Sequence, residues 1–219
     1  MYYIRKAVYL VVITVQSTAH SGSYDDFFSA VRVDDVDVIK VLLSRGFDVN
    51  TVDSAGETAL LLAVRQDSLK VAAFLAAWPQ TKVEARSQRD ESALMLASLK
   101  GLEPLCEVLI AHGADVNKPG WTPLHYAATN GHLAVMTLLL ENYAYIDAGS
   151  PNGTTPLMMA AHYANAAAVN LLVEAGADPL LKNDLGLSAL EFARSAQRLD
   201  SAEIIARAAR ARQPNKGSW

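Results

Sequence analysis

The apolar residues of this chain recur at helical spacing in pairs of short segments. One stretch near the middle shows the pattern clearly: Leu124 and Ala128 share one helical face and, after Gly131, Val135 and Leu139 share another. A glycine between two such segments is typical of a helix end, because it adopts a left-handed backbone without steric cost. The pattern therefore predicts two short helices joined by a turn. Neither helix could bury its apolar face alone, so we expect further copies of the pair beside it.

A threonine or serine marks the start of each helix pair and sets a common register for the copies. Such a residue can cap a helix with its side-chain oxygen, and a proline at the next position needs no backbone donor. The marks recur in steps of 34, 30, 33 and 33 residues, at Thr58, Ser92, Thr122, Thr155 and Ser188. Two of them are followed by proline, at Pro123 and Pro156. A regular step of this length indicates a repeat array.

The copies share motifs as well as a period. Residues 122–125 read TPLH, and the second helices lead into the segments LLSRGFDVN, LIAHGADVN and LVEAGADP. In both respects the chain resembles the ankyrin repeat. The resemblance implies an all-α repeat solenoid, an ankyrin array of helix–turn–helix units joined by short β-hairpin loops. It covers residues 24–212 with about six units, of which the first and the last act as caps.

By the same resemblance, certain positions have a structural role in every unit. His125 and His132 occupy histidine positions of the family, where imidazoles bond backbone groups and hold neighbouring repeats together. The structural repeat positions are Thr58, Ser92, Thr122, Pro123, His125, Gly131, His132, Thr155, Pro156 and Ser188. We therefore expect these two histidines to stabilise the array rather than to bind a metal.

Four places depart from the family pattern. Tyr143 stands where a glycine ends the second helix, so either this residue is strained or the helix ends differently. Ala164 replaces the glycine between two helices, and the connection from Asn117 to Gly120 is short, which predicts a stunted hairpin. Trp78 takes another glycine position, and we expect it to be partly exposed where its helix ends.

The N-terminal residues show the parts of a secretory signal. Basic residues come first, residues 7–15 are almost entirely apolar, and small residues lead to Ala19. We expect residues 1–19 to be a signal peptide cleaved after Ala19, and the protein to be periplasmic or secreted, with no stable membrane span after cleavage. Residues 20–23 are expected to be a flexible mature N-terminus and residues 213–219 a disordered tail. The alternatives are that this segment is a buried first strand or helix of the fold, or that the start codon is mis-assigned and the protein is cytoplasmic.

Composition and motifs disfavour several functions. A net charge of −4 and a pI near 5.7 provide no basic footprint for nucleic acid. The single cysteine, Cys106, cannot form an internal disulfide, and we expect it to be a small half-buried hydrophobe. The sequence has neither a glycine-rich phosphate loop nor a nucleophile elbow. We therefore expect no catalytic, cofactor-binding or metal-binding residues.

In the family that the chain resembles, variable positions on the concave face carry recognition. Those with aromatic, basic or amide side chains are predicted to bind the partner: Trp121, Tyr163, His162, Lys100, Arg65, Trp78, Asn130 and Asn142. Aromatic and arginine side chains are frequent in binding hot spots. We expect one aromatic-and-basic stripe with Trp121 as its anchor. The alternative is that these are scattered side chains of an ordinary surface.

These observations predict a non-catalytic, monomeric protein-binding scaffold in the periplasm of a bacterium, with a protein partner of unknown identity. Two alternatives remain open. One is an accessory protein that stabilises, or supplies a cofactor to, an envelope redox enzyme. The other is a secreted effector that binds a host protein. A catalyst would instead require a deep pocket with strongly perturbed titrating groups.

Overall fold

The computed structural model describes residues 22–212, which form an array of short α-helices. The all-helical repeat fold predicted from the sequence is thus confirmed. The array divides into two compact units, and the boundary between them lies between Asp90 and Glu91.

Within residues 22–90, the described part of the first unit, there are four helices. The first of them, α1, is helical from residue 22 to residue 32, so it includes Gly22 and Ser23; residues 20 and 21 lie outside the described residues. The others are α2 (Val36–Ser44), α3 (Ala59–Arg65) and α4 (Leu69–Ala77). Helix α4 packs against both α2 and α3. The core of this unit contains fully buried side chains, among them those of Phe27, Ile39, Leu61 and Leu75.

The part of the second unit that the structure describes, residues 91–212, contains eight helices in two layers. The first-helix layer contains α5 (Ala93–Lys100), α7 (Pro123–Asn130), α9 (Pro156–Tyr163) and α11 (Ala189–Ser195). The second-helix layer contains α6 (Glu103–Ala111), α8 (Leu133–Glu141), α10 (Ala166–Glu174) and α12 (Leu199–Arg212). Each helix packs on its neighbours within the layer and on its partner in the other layer.

Side chains at the marked positions close the first turns of several helices. The hydroxyls of Thr58, Ser92 and Thr155 accept hydrogen bonds from the backbone N–H three residues later, at 3.4, 3.2 and 3.3 Å. Each bond satisfies a donor that a helix start leaves without an intrahelical partner. At the start of α11 the carboxylate of Glu191 accepts from the hydroxyl and the N–H of Ser188, and these bonds lower the pKa of Glu191.

The departures from the repeat pattern have local explanations. Gly131 ends α7 in the left-handed conformation, with φ of 68°. Tyr143 adopts the same conformation with φ of 63°, which is the strained alternative of the two that the sequence left open. Ala164 is extended instead, and the side chain of Asn165 then caps α10 by accepting the Ala168 N–H at 3.1 Å.

The hairpin loops differ in how far they are formed. Antiparallel bridges join Val52 to Thr58 in the first unit and Lys182 to Ser188 in the second. Residues 112–122 contain no bridge, and neither do the connections at residues 78–92 and 142–155, so the predicted stunting of the short connection stays a prediction.

The predicted signal peptide, residues 1–19, and the predicted tail, residues 213–219, lie outside the described residues. None of the helices found between residues 22 and 212 combines the length and apolarity needed to cross a bilayer.

Candidate protein-binding surface

The first-helix layer of the second unit buries the middles of its helices and leaves their ends accessible. In α7, Leu124 and Ala128 have no exposed surface, whereas Asn130 at the C-terminal end is exposed. The last residues of α5 and α9 are Lys100, which is half-buried, and Tyr163, which is 54% exposed. Lys100, Asn130 and Tyr163 are named here the helix-end row.

Hydrogen bonds between neighbouring repeats position this row. Nδ2 of Asn130 donates to the carbonyl oxygen of Leu99 at 2.7 Å. Nε2 of His132 lies 3.0 Å from the same oxygen and carries the proton, since a carbonyl can only accept. Asn130 therefore lies beside Lys100, which follows Leu99 along α5.

The exposed ring of Tyr163 has a well-defined support. Arg198, which follows α11, donates to the carbonyl oxygens of His162 and Tyr163 at 2.9 Å each. The His162 ring packs edge-on against the Tyr163 ring with their centroids 4.4 Å apart, and its Nδ1 lies 3.3 Å from the carbonyl oxygen of Phe192. The His162 ring, which is itself half-buried, thus packs against one side of the Tyr163 ring.

Trp121 lies at the opposite ends of these helices. It comes just before α7, whereas Asn130 is the last residue of that helix, and eight helical residues span about 12 Å. The half-buried indole packs edge-on against the His125 ring at 5.3 Å between centroids. The structure thus places Trp121 about one helix length from Asn130, so a stripe that contains both would run along the first helices.

Three further predicted binding residues lie elsewhere. Arg65, in the first unit, forms an ion pair with Glu57. Trp78 and Asn142 follow second helices, α4 and α8, rather than first helices. The half-buried Trp78 donates from Nε1 to the side chain of Gln80 at 2.8 Å, and Asn142 donates to a carbonyl of its own helix at 2.8 Å. Trp78 and Asn142 therefore do not join the first-helix ends.

His125 is buried and joins two repeats. Its Nδ1 lies 3.2 Å from the backbone nitrogen of Thr122 and 2.9 Å from the Thr122 hydroxyl, and its Nε2 lies 2.9 Å from the carbonyl oxygen of Thr154. An N–H only donates and a carbonyl only accepts, so Nδ1 is unprotonated and Nε2 carries the proton. Burial lowers the pKa of His125 from 6.5 to about 4, which keeps the ring neutral at pH 7.

Two exposed tyrosines, which the sequence pattern did not single out for binding, lie outside the first-helix layer. Tyr143 is 86% exposed and Tyr145 is 69% exposed, in the loop after α8. The side chain of Asn117 holds this loop: its Nδ2 donates to the Tyr143 carbonyl and its Oδ1 accepts the Tyr145 N–H, both at 2.8 Å. The sequence shows that these tyrosines are unusual, because the corresponding positions of the preceding repeat are Gly113 and Asp115.

The described residues offer little for metal or thiol chemistry. Residues 22–212 contain no group of three or more His, Cys, Asp or Glu side chains arranged to hold a metal ion. Cys106 is fully buried rather than half-buried as expected, because α6 packs it against α5, where its Sγ lies 3.9 Å from the Ser98 hydroxyl. Burial raises the pKa of the Cys106 thiol to about 12, so the reactive thiolate is suppressed.

Three family models match the chain, at residues 27–76, 79–150 and 139–193, and all three describe ankyrin repeats. The chain belongs to the ankyrin-repeat proteins. Among curated relatives, it is 32% identical to the mouse nuclear factor NF-kappa-B p105 subunit over 145 residues, which cover 63% of this chain and 15% of that protein. It is 28% identical to a putative ankyrin repeat-containing protein of Treponema pallidum over 170 residues, covering 78% of this chain and 47% of the relative. This ankyrin chain thus spans less than half the length of either relative.

Solved structures of similar arrays cover more of this ankyrin chain. An ankyrin repeat domain from Acinetobacter baumannii has 27% sequence identity and a TM-score of 0.73, with 83% of this chain and 96% of that chain covered. A second structure is a complex between a predatory endopeptidase of Bdellovibrio bacteriovorus and an immunity protein. Its matching chain is 28% identical with a TM-score of 0.72, and the match covers 83% of this chain and 97% of that one.

Proposed function

We propose that this ankyrin-repeat protein is a non-catalytic scaffold that binds a folded protein partner through the first-helix layer of its second unit. Two regions of this layer would contact the partner. One is the helix-end row of Lys100, Asn130 and Tyr163, and the other is Trp121 at the opposite ends of the helices. The observation that carries the proposal is the support of Tyr163, an exposed aromatic residue at a helix end where Arg198 donates one hydrogen bond to its carbonyl oxygen and another to that of His162. A preorganised aromatic side chain loses little conformational entropy when a partner covers it.

The Bdellovibrio complex supports this class of function. One of its chains has this fold over almost its whole length, and the complex joins a peptidase to an immunity protein. Holding or shielding another protein is therefore a use to which such an array is suited. The absence of a catalytic role in our proposal agrees with the way ankyrin domains serve as binding modules.

We further propose that the protein is bacterial and is exported to the periplasm, with cleavage after Ala19. The basic, apolar and small-residue order of the N-terminal segment supports export, and the two similar structures come from bacterial proteins. Fusion of residues 1–30 to a phosphatase that is active only in the periplasm would test it. Activity of the fusion, together with a mature N-terminus at His20, is expected; an inactive fusion that retains Met1 would contradict export.

Binding is tested by capture followed by measured affinities. The exported protein would be immobilised, partners captured from envelope extract, and each captured protein purified for titration against the native chain and variants. We expect Tyr163→Ala and Trp121→Ala each to weaken binding by about 2 kcal/mol, or about 30-fold, as for a hot spot. Tyr143→Ala, which removes an exposed tyrosine from the loop after α8, is the matched control and should leave the affinity unchanged.

The outcomes separate the binding function from the location of the site. Circular dichroism must show that each variant is folded, because Trp121 also packs on His125. A partner that binds all three variants as tightly as the native chain would remove the first-helix layer as the contact surface. Co-purification of haem or a metal ion with the native chain would instead favour a role in supplying a cofactor to an enzyme.

A further inference from the structure

A hollow of about 420 Å³ lies in the first unit. It is bounded by the hairpin that the Val52–Thr58 bridge closes and by residues 87–89 of the loop before α5. Its lining combines two arginines with one glutamate and small or polar groups: Ala55, Glu57, Arg65, Ser87, Gln88 and Arg89. The hollow is distinct from the helix-end row and Trp121, which belong to the second unit.

Glu57 fixes the first of the two guanidinium groups. Nη2 of Arg65 lies 2.7 Å from Oε1 of Glu57, and Nε lies 3.2 Å from Oε2. This two-pronged pairing matches the fork of a guanidinium to the two oxygens of a carboxylate, and it restricts both side chains. The pair is largely sheltered, with the Glu57 side chain 16% exposed. The Arg65 guanidinium is therefore held at the wall of the hollow.

The second guanidinium belongs to Arg89, and its surroundings differ. Arg89 is exposed, and its side chain forms no hydrogen bond or ion pair among residues 22–212. Its backbone is nevertheless positioned: the Arg89 N–H donates to the Ser87 hydroxyl at 3.2 Å, and the neighbouring Gln88 donates from Nε2 to the Ala55 carbonyl at 3.1 Å. The loop is thus tied to the hairpin across the hollow, and it presents a positive charge there.

The charges of the hollow favour one kind of ligand. Among the side chains that line the hollow, two guanidinium groups and one carboxylate give a net charge of +1, which a single further carboxylate neutralises. A phosphate dianion would leave a net negative charge and would lie against Glu57. We propose that the hollow receives an aspartate or glutamate side chain of the protein partner, which pairs with Arg89 and Arg65. This inference rests on the proposed function, because it assigns a second contact to the same partner.

The subsite is tested without knowing the partner. The probe is N-acetyl-glutamate N-methylamide, titrated into the exported protein while the Nε–H signals of Arg65 and Arg89 are followed by NMR. The neutral glutamine analogue and inorganic phosphate serve as comparison ligands. We expect the glutamate probe to shift both arginine signals, the glutamine analogue to shift neither, and phosphate to bind more weakly than the glutamate probe.

Variants assign the effect to the hollow. Arg89→Gln should weaken binding of the glutamate probe by about threefold, the range of an exposed ion pair. Arg45→Gln removes another exposed arginine of the same unit and should change nothing. Glu57→Gln raises the net charge of the hollow and should narrow the preference for the glutamate probe over phosphate. Equal binding by native and Arg89→Gln protein, or equal binding of the glutamate and glutamine probes, would overturn the subsite.

Failure of this inference is distinguishable from failure of the proposed function. Capture of a partner whose affinity falls with Tyr163→Ala but not with Arg89→Gln would retain the function and remove the acidic contact. Binding of the glutamate probe that depends on Arg89, with no partner affinity for the first-helix layer, would retain the subsite and remove the proposed function.

Discussion

The buried His125 makes the stability of the second unit depend on pH in a way that can be calculated. In the folded chain its Nδ1 accepts hydrogen bonds from Thr122, so protonation would place a donor against a donor. Burial lowers the pKa of His125 from 6.5 to about 4. Because one pH unit corresponds to about 1.4 kcal/mol, this difference amounts to about 3 kcal/mol.

The sign follows from proton binding by the two states. Between pH 6.5 and about 4 the unfolded chain binds a proton at this histidine while the folded chain does not, so the free energy of unfolding falls as the pH falls. The contribution of His125 is complete above pH 6.5 and is lost by about pH 4. Between pH 7.5 and pH 4.5 the expected loss is about 2.5 kcal/mol.

The assay is urea unfolding of the native protein and of two variants at pH 7.5 and pH 4.5. His125→Gln should be destabilised at pH 7.5 by about 1–3 kcal/mol, because buried hydrogen-bonding groups lose their partner. It should also lose about 2.5 kcal/mol less than the native protein on acidification, because the titrating ring is gone. His112→Gln, at an exposed histidine, should keep the native pH dependence. Parallel losses for the native protein and His125→Gln would refute the reasoning.

Three further predictions concern backbone and thiol positions in the second unit. A Cβ added at Gly101 (φ 70°) would lie 2.7 Å from Cε1 of His132, whereas a Cβ at Gly113 (φ 90°) meets nothing within 4 Å. Thermal denaturation should therefore show Gly101→Ala to be less stable than Gly113→Ala by about 1 kcal/mol or more. Equal losses of stability would show that the His132 ring moves aside freely. Tyr143→Gly should raise the free energy of urea unfolding by about 0.5 kcal/mol. The left-handed conformation costs tyrosine about 1–2 kcal/mol, but glycine also gives the unfolded chain more conformational entropy, which offsets part of the gain. A loss of stability would mean that the exposed ring makes contacts that stabilise the fold. Cys106 should react with a thiol-specific chromogenic disulfide only after urea is added, because burial raises the pKa of its thiol to about 12, and rapid reaction of the native protein would contradict this.

Much of the fold was predictable because its determinants are local. The threonine and serine marks precede first helices, as at Thr58 and Ser92, and those hydroxyls accept hydrogen bonds only three residues away. The apolar spacing within a repeat is likewise a matter of a few residues, since a helix turns once every 3.6 residues. The position of Gly131 at a helix end follows from its backbone freedom alone.

The candidate binding surface was less predictable, because it depends on contacts between residues about 30 positions apart. The sequence identified Trp121 and Tyr163 as candidates and placed them at the start and the end of first helices, which the helix bounds match. It did not show that folding brings Arg65 onto Glu57, eight residues away. The sequence by itself thus determined the repeat, the helix starts and the candidate side chains. Only the tertiary structure decided which of them lie together, because stacking of one repeat on the next sets those distances and no single repeat encodes them.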